Sequence, residues 1–67
     1  MSTDALHAAL ARALAGEDLT GDEASAALDV VMRGDATPAQ TAGLLVALRA
    51  KGETPAEIAG CARTMRA

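Results

Sequence analysis

Aromatic side chains are missing altogether: the 67 residues include no Phe, Tyr or Trp. A core must then be assembled from Leu, Val, Ile and Met and from many alanines, which bury little area each, and a chain this short has little stability to spare. Small domains are usually reinforced by disulfides or a metal, and the means for either are scarce. Cys61 is the one cysteine and cannot close an intramolecular bridge, and with the one histidine, His7, it cannot complete a zinc site. That leaves packing against other protein, and the cysteine usage suits a cytoplasmic setting. Clustered positive charge is missing as well. Six Lys and Arg are scattered among nine Asp and Glu, giving a net charge of −3 and a pI near 4.8, which argues against nucleic-acid binding. Apolar stretches are broken by charge every few residues, and no basic segment followed by a hydrophobic run opens the chain, so neither a membrane span nor a signal peptide is read.

Catalytic signatures are equally absent. Gly16, Gly21, Gly34, Gly43, Gly52 and Gly60 never cluster into a phosphate-cradling loop. The neighbouring carboxylates of Asp22 and Glu23 are explained by a helix start. Cys61 lies on an apolar helical face with no histidine or helix N-terminus placed to activate it, and His7, at the edge of an apolar stripe, reads as a solvated surface residue. No catalytic, cofactor-binding or metal-ligating residue is assigned, and the chain by itself is expected to be inactive.

What the sequence does contain is helix punctuation. The stretch from Ala36 to Gly60 reads as an apolar helix, a glycine stop and the first turns of a second helix. Thr37 is an N-cap candidate, Pro38 suits the first helical position, Gln40 completes a capping box, and Gly52 can take the left-handed conformation that ends the helix. Thr54, Pro55 and Glu57 repeat the same three roles. Thr20 with Glu23 forms a further capping box, opening a helix that ends before Gly34, with Leu19 placed to staple onto Ala24. A first helix is expected from near Thr3 or Asp4 to about Ala15, and a fourth from Pro55 to about Arg66. The candidate caps Thr3, Thr20, Thr37 and Thr54 are evenly spaced, which indicates an all-α antiparallel bundle of four short helices joined by short capped loops, as one domain over residues 1–67.

The expected faces follow from the 3.6-residue period. Leu6, Leu10 and Leu14, widened by Ala9 and Ala13, form the stripe of the first helix; Ala24, Ala27, Leu28, Val31 and Met32 that of the second; Ile58, Cys61, Ala62 and Met65 that of the fourth. The third helix carries Thr41, Leu44, Leu45 and Leu48 on one side and Ala39, Ala42, Gly43, Val46 and Ala50 on the other. Being apolar on both sides, it is expected at the centre of the bundle, with the small-residue side (Ala39, Ala42, Gly43, Val46, Ala50) as the candidate interface for a partner. Gly43 and Gly60, inside helices, point to close packing. Arg49 and Lys51 suit the negative end of the third helix. No glycine or proline stop follows Arg66, which suggests the front of something longer.

These same residues carry a family resemblance. Leu19-Thr20 with Asp22-Glu23-Ala24, Val31-Met32-Arg33-Gly34, Thr37-Pro38-Ala39-Gln40, the run from Ala47 to Pro55, Glu57-Ile58-Ala59-Gly60 and Met65-Arg66 together resemble the N-terminal helical domain of anthranilate phosphoribosyltransferases. The likeness covers essentially the whole chain, and the run from Ala47 to Gly60 is its most specific part. It implies a two-domain homodimeric enzyme of tryptophan biosynthesis, in which a larger α/β domain binds phosphoribosyl pyrophosphate with magnesium and the phosphoribosyl group passes to anthranilate. The diphosphate-binding motif Gly-Thr-Gly-Gly-Asp of that family is not in this chain, so no catalytic residue carries over. The resemblance implies a dimer-forming module whose partner is a second copy or a C-terminal α/β domain, with no cofactor of its own. Two alternatives stay open: a stand-alone helical interaction module, and the corresponding domain of a pyrimidine nucleoside phosphorylase.

Overall fold

The computed structural model describes residues 3–66. They form four helices, α1 (Asp4–Leu14), α2 (Gly21–Met32), α3 (Pro38–Lys51) and α4 (Pro55–Arg66), with no strand among the described residues. Three helices begin at threonine capping boxes. Thr20 Oγ1 accepts the Glu23 N–H at 3.1 Å while the Glu23 carboxylate accepts the Thr20 N–H at 2.7 Å. Thr37 with Gln40 (3.1 and 2.9 Å) and Thr54 with Glu57 (3.1 and 2.8 Å) repeat the reciprocal pair. Each box satisfies two of the amides that a helix start leaves without intrahelical partners. Thr3 precedes α1 without a side-chain cap bond. Gly52 ends α3 at φ +93°, ψ 113°, so its φ is positive as expected, but its ψ lies outside the left-handed helical well and turns the chain sharply into Glu53.

The core consists of Leu6, Ala9, Ala13, Leu19, Ala24, Ala27, Val30, Leu44, Ala47 and Leu48. Half of these are alanines, so helix axes must approach closely for the core to close. The spatial order follows from the contacts: α2 packs on both α4 and α1, and α1 also packs on α3. The expected central place of α3 is therefore corrected. It flanks the bundle, and α1 and α2 lie in the middle, because their alanine seams admit a neighbour on two sides. Leu45 and Val46 of α3 are 57% and 66% exposed as a result.

Direction along the two side seams also differs from a simple antiparallel bundle. His7 and Leu10 of α1 meet Gln40 and the Gly43 position of α3, and Gly21 and Ser25 of α2 meet Gly60 and Thr64 of α4. In both seams the numbers rise together, so α1 runs in the same sense as α3, and α2 in the same sense as α4. The α2–α4 seam is the tighter one. A Cβ on Gly60 would collide with the Gly21 carbonyl, whereas a Cβ on Gly43 would lie 3.7 Å from Leu10 Cδ2, an ordinary contact. Close backbone approach thus occurs at Gly60 and not at Gly43.

Besides Leu45, four expected stripe residues turn outward. Leu14, the last residue of α1, lies beyond the seam that buries Ala9 and Ala13; Met32, the last of α2, likewise lies past Val30, which is buried instead. On α4, Ile58 and Met65 are exposed while Glu57 and Gly60 are buried.

Candidate interface groove and buried charge node

Glu57 is the structural centre of the α4 start. Its residue surface is 1% exposed, and three donors converge on its two oxygens. Oε2 accepts the Leu19 N–H of the α1–α2 connection at 2.6 Å, and Oε1 accepts the Thr54 N–H and the Lys51 ammonium, both at 2.8 Å. Lys51, with its side chain only 3% exposed, also reaches Asp18 Oδ1 at 3.1 Å and the Gly52 carbonyl at 3.0 Å. One carboxylate therefore ties together the α1–α2 connection, the end of α3 and the start of α4. Burial alone would raise the Glu57 pKa, but the Lys51 bond and the Leu19 and Thr54 amides more than offset it and bring it down to about 2. Hydrogen bonding to Glu57 raises the Lys51 pKa against its burial, with Asp18 adding to the effect.

The sequence reading assigned Glu57 to a cap and Lys51 to the helix dipole, and missed their meeting. A signal was present in the register: Gly52 reverses the chain between them, which allows a lysine on the last turn of one helix to meet the N3 glutamate of the next. The α2–α4 seam had a signal too. Gly21 and Ser25, and Gly60 and Thr64, are small residues at the same four-residue spacing, and Ser25 and Thr64 join their hydroxyls across it. Thr64 also donates to the Ser25 carbonyl at 3.1 Å.

With Glu57 inward, the apolar side of α4 faces solvent. Leu45, Leu48, Ile58, Cys61, Ala62 and Met65 line an open groove of about 230 Å³ between α3 and α4, with Glu53 at its edge and Glu57 beneath it. Burial, and secondarily Glu57, raise the Cys61 pKa, so the thiol stays protonated and unreactive near neutrality. The candidate interface residues lie elsewhere on α3: Ala39, Ala42, Val46 and Ala50 are exposed, and Gly43 turns toward Leu10 of α1.

Among the described residues no group of three or more His, Cys, Asp and Glu side chains could hold a metal ion. Where two carboxylates converge they are committed to a side-chain cation, Asp18 and Glu57 to Lys51, Asp29 and Asp35 to Arg33, Glu17 and Glu23 to Arg12, so the described residues do not fit a magnesium site. Nor is any helix among the described residues long and apolar enough to cross a membrane.

Comparison with known proteins agrees with this architecture. The model of the helical bundle domain of a glycosyl transferase family matches residues 7–67. The chain is 53% identical over 58 residues to the anthranilate phosphoribosyltransferase of Saccharopolyspora erythraea, covering 87% of this chain and 16% of that protein. To the enzyme of the same name from Roseiflexus castenholzii it is 62% identical over 52 residues, 78% of this chain and 15% of that protein. To that of Symbiobacterium thermophilum it is 54% identical over 61 residues, 91% of this chain and 18% of that protein. The chain thus spans about a sixth of the length of these curated relatives. No solved structure matches it. Four helices over an alanine-rich core, three of them started by capping boxes, a family model covering all but the first turn, and relatives more than half identical establish that this chain belongs to the helical bundle domain family of the glycosyl transferases.

Proposed function

We propose that this chain is the N-terminal helical domain of an anthranilate phosphoribosyltransferase, and that it serves the enzyme by packing rather than by chemistry. In the whole protein the phosphoribosyl group of phosphoribosyl pyrophosphate passes to anthranilate, in the cytoplasm and with magnesium, on an α/β domain that supplies the diphosphate and metal ligands. The helical domain contributes surface to that domain or to a second copy of the chain in a homodimer. The observation that carries the reading is the open groove between α3 and α4. A domain whose core is half alanine leaves Leu45, Ile58 and Met65 more than half exposed along one strip, and an apolar strip of this kind marks a surface meant to be covered.

The test is a chimera in which residues 7–67 replace the matching segment of the Symbiobacterium thermophilum relative, assayed by the loss of anthranilate fluorescence with phosphoribosyl pyrophosphate and magnesium. Turnover within about tenfold of the parent, a barrier change of roughly 1.4 kcal/mol, is expected; a folded but inactive chimera overturns the reading. Residues 1–67 alone, in the same assay, should match the buffer control. Sedimentation of the isolated chain addresses the homodimer.

A further inference from the structure

At the α1–α3 seam, the hydrogen bonds of Gln40 decide which nitrogen of His7 carries the proton. Gln40 stands at the third position of α3, where its Oε1 accepts the Thr37 N–H at 2.9 Å as half of the capping box. With the oxygen committed, the opposite end of the planar amide is the NH2 group, and it lies 3.2 Å from His7 Nε2. An amide NH2 donates and cannot accept, so this bond forms only when Nε2 presents a lone pair. We propose that Gln40 selects the neutral His7 tautomer protonated at Nδ1, and that the pair is an acid-released latch between α1 and the start of α3.

Protonation places N–H on both ring nitrogens and turns the contact into donor against donor. The first turn of α3 offers the imidazolium no carboxylate in exchange. His7 faces the positive end of the α3 dipole, the first turn of α3 contains no acidic residue, and the charged residues of that helix, Arg49 and Lys51, stand at its far end. In the segment leading into α3, Asp35 is held by Arg33 at 3.2 Å. On α1 itself, Asp4 lies one turn before His7. One turn further along the seam, Leu10 packs near Gly43, a contact indifferent to pH. Acid therefore opens the His7–Gln40 contact at the surface, while the buried Leu6 and the Leu10 contact hold the seam.

Nitrogen-15 correlation spectra of the imidazole in the 67-residue chain read the tautomer directly. In mildly alkaline solution the proton is expected on Nδ1; a proton on Nε2, or an even mixture of the two forms, overturns the proposal. On acidification from that solution, the Gln40 side-chain NH2 and Thr37 amide signals should shift together with the ring. His7→Ala should abolish that shift, and its persistence at wild-type size would refute the latch. Gln40→Glu keeps an oxygen for the Thr37 N–H but puts a second oxygen where the NH2 was. It should move the neutral ring's proton to Nε2 and preserve the contact in acid, and a wild-type tautomer in this variant also refutes the proposal.

Discussion

Glu57→Gln is the substitution that most directly tests the architecture, because it changes almost no volume and removes one charge. Three donors, the Leu19 N–H, the Thr54 N–H and the Lys51 ammonium, meet two carboxylate oxygens. A glutamine offers one acceptor oxygen and an NH2 group. If the NH2 takes the place of Oε2 it opposes the Leu19 N–H; if it takes the place of Oε1 it opposes both Thr54 and Lys51. Either way a buried donor loses its partner and the buried ammonium loses its counter-charge. Removing one member of a buried pair costs about 3–5 kcal/mol, and the lower end applies here because Asp18 and the Gly52 carbonyl still hold Lys51. A domain of this length has a total stability of about 3–10 kcal/mol, so the substitution removes a large share of it. The assay is urea unfolding followed by far-ultraviolet circular dichroism, since the chain has no Trp or Tyr to report by fluorescence. With a urea slope of about 1 kcal/mol per molar for a small domain, the midpoint should fall by about 3 M or the variant should be unfolded in buffer. Adding Lys51→Met should recover part of the loss, because no buried ammonium then remains to be compensated. A Glu57→Gln variant with a midpoint within about half a molar of the wild type would refute the node as the fastener of the α4 start.

The same node sets the acid response. The folded Glu57 pKa of about 2 lies below the ordinary 4.5, so its contribution is present above about pH 4.5 and is lost as the pH falls toward 2; the urea midpoint should drop across that window and, in Glu57→Gln, lose that part of the drop. The two helical glycines should respond with opposite signs. Gly43→Ala should stabilise by up to about 1 kcal/mol, since its Cβ makes only an ordinary contact with Leu10. Gly60→Ala should destabilise by about 1–3 kcal/mol as its Cβ forces α4 away from the Gly21 carbonyl, and thermal melts of both variants give the two signs. Leu48→Asp should abolish helicity, because the 6% exposed Leu48 site has no partner for a charge, whereas Leu45→Asp on the groove rim, 57% exposed, should leave the circular dichroism spectrum unchanged.

Helix existence and helix starts were legible because both are local. A threonine at the cap and an acceptor at the third position, with proline after the threonine at Thr37 and Thr54, specify a reciprocal pair of hydrogen bonds within four residues, and no distant part of the chain has to cooperate. Thr20, Thr37 and Thr54 make the caps expected of them. The order of the helices in space was not legible. It depends on which pairs of alanine seams close most tightly, and an apolar wheel does not distinguish a helix buried on two sides from one buried on a single side and exposed on the other. Leu45 and Val46 made α3 look central, while the positions that admit two neighbours were Ala9 and Ala13 of α1 and Ala24 and Ala27 of α2.

The fourth helix shows the same limit in its sharpest form. Its apolar residues, Ile58, Cys61, Ala62 and Met65, lie on one face by period alone, and a core-first reading turns that face inward. The structure buries Glu57 and Gly60 instead. Gly60 is inside because only a residue without a Cβ lets α2 approach, and Glu57 is inside because the α1–α2 connection, the end of α3 and the cap of α4 itself present one donor each and need an acceptor. Once those two positions are fixed, helical geometry leaves Ile58 and Met65 pointing away from the core. The exposed apolar groove is thus a consequence of the buried charge node and the glycine seam, and both orient α4 so that its apolar face is offered outward. Moving the groove residues into the core would require breaking the Glu57 contacts, which ties the candidate docking face and the stability of the domain to the same few hydrogen bonds.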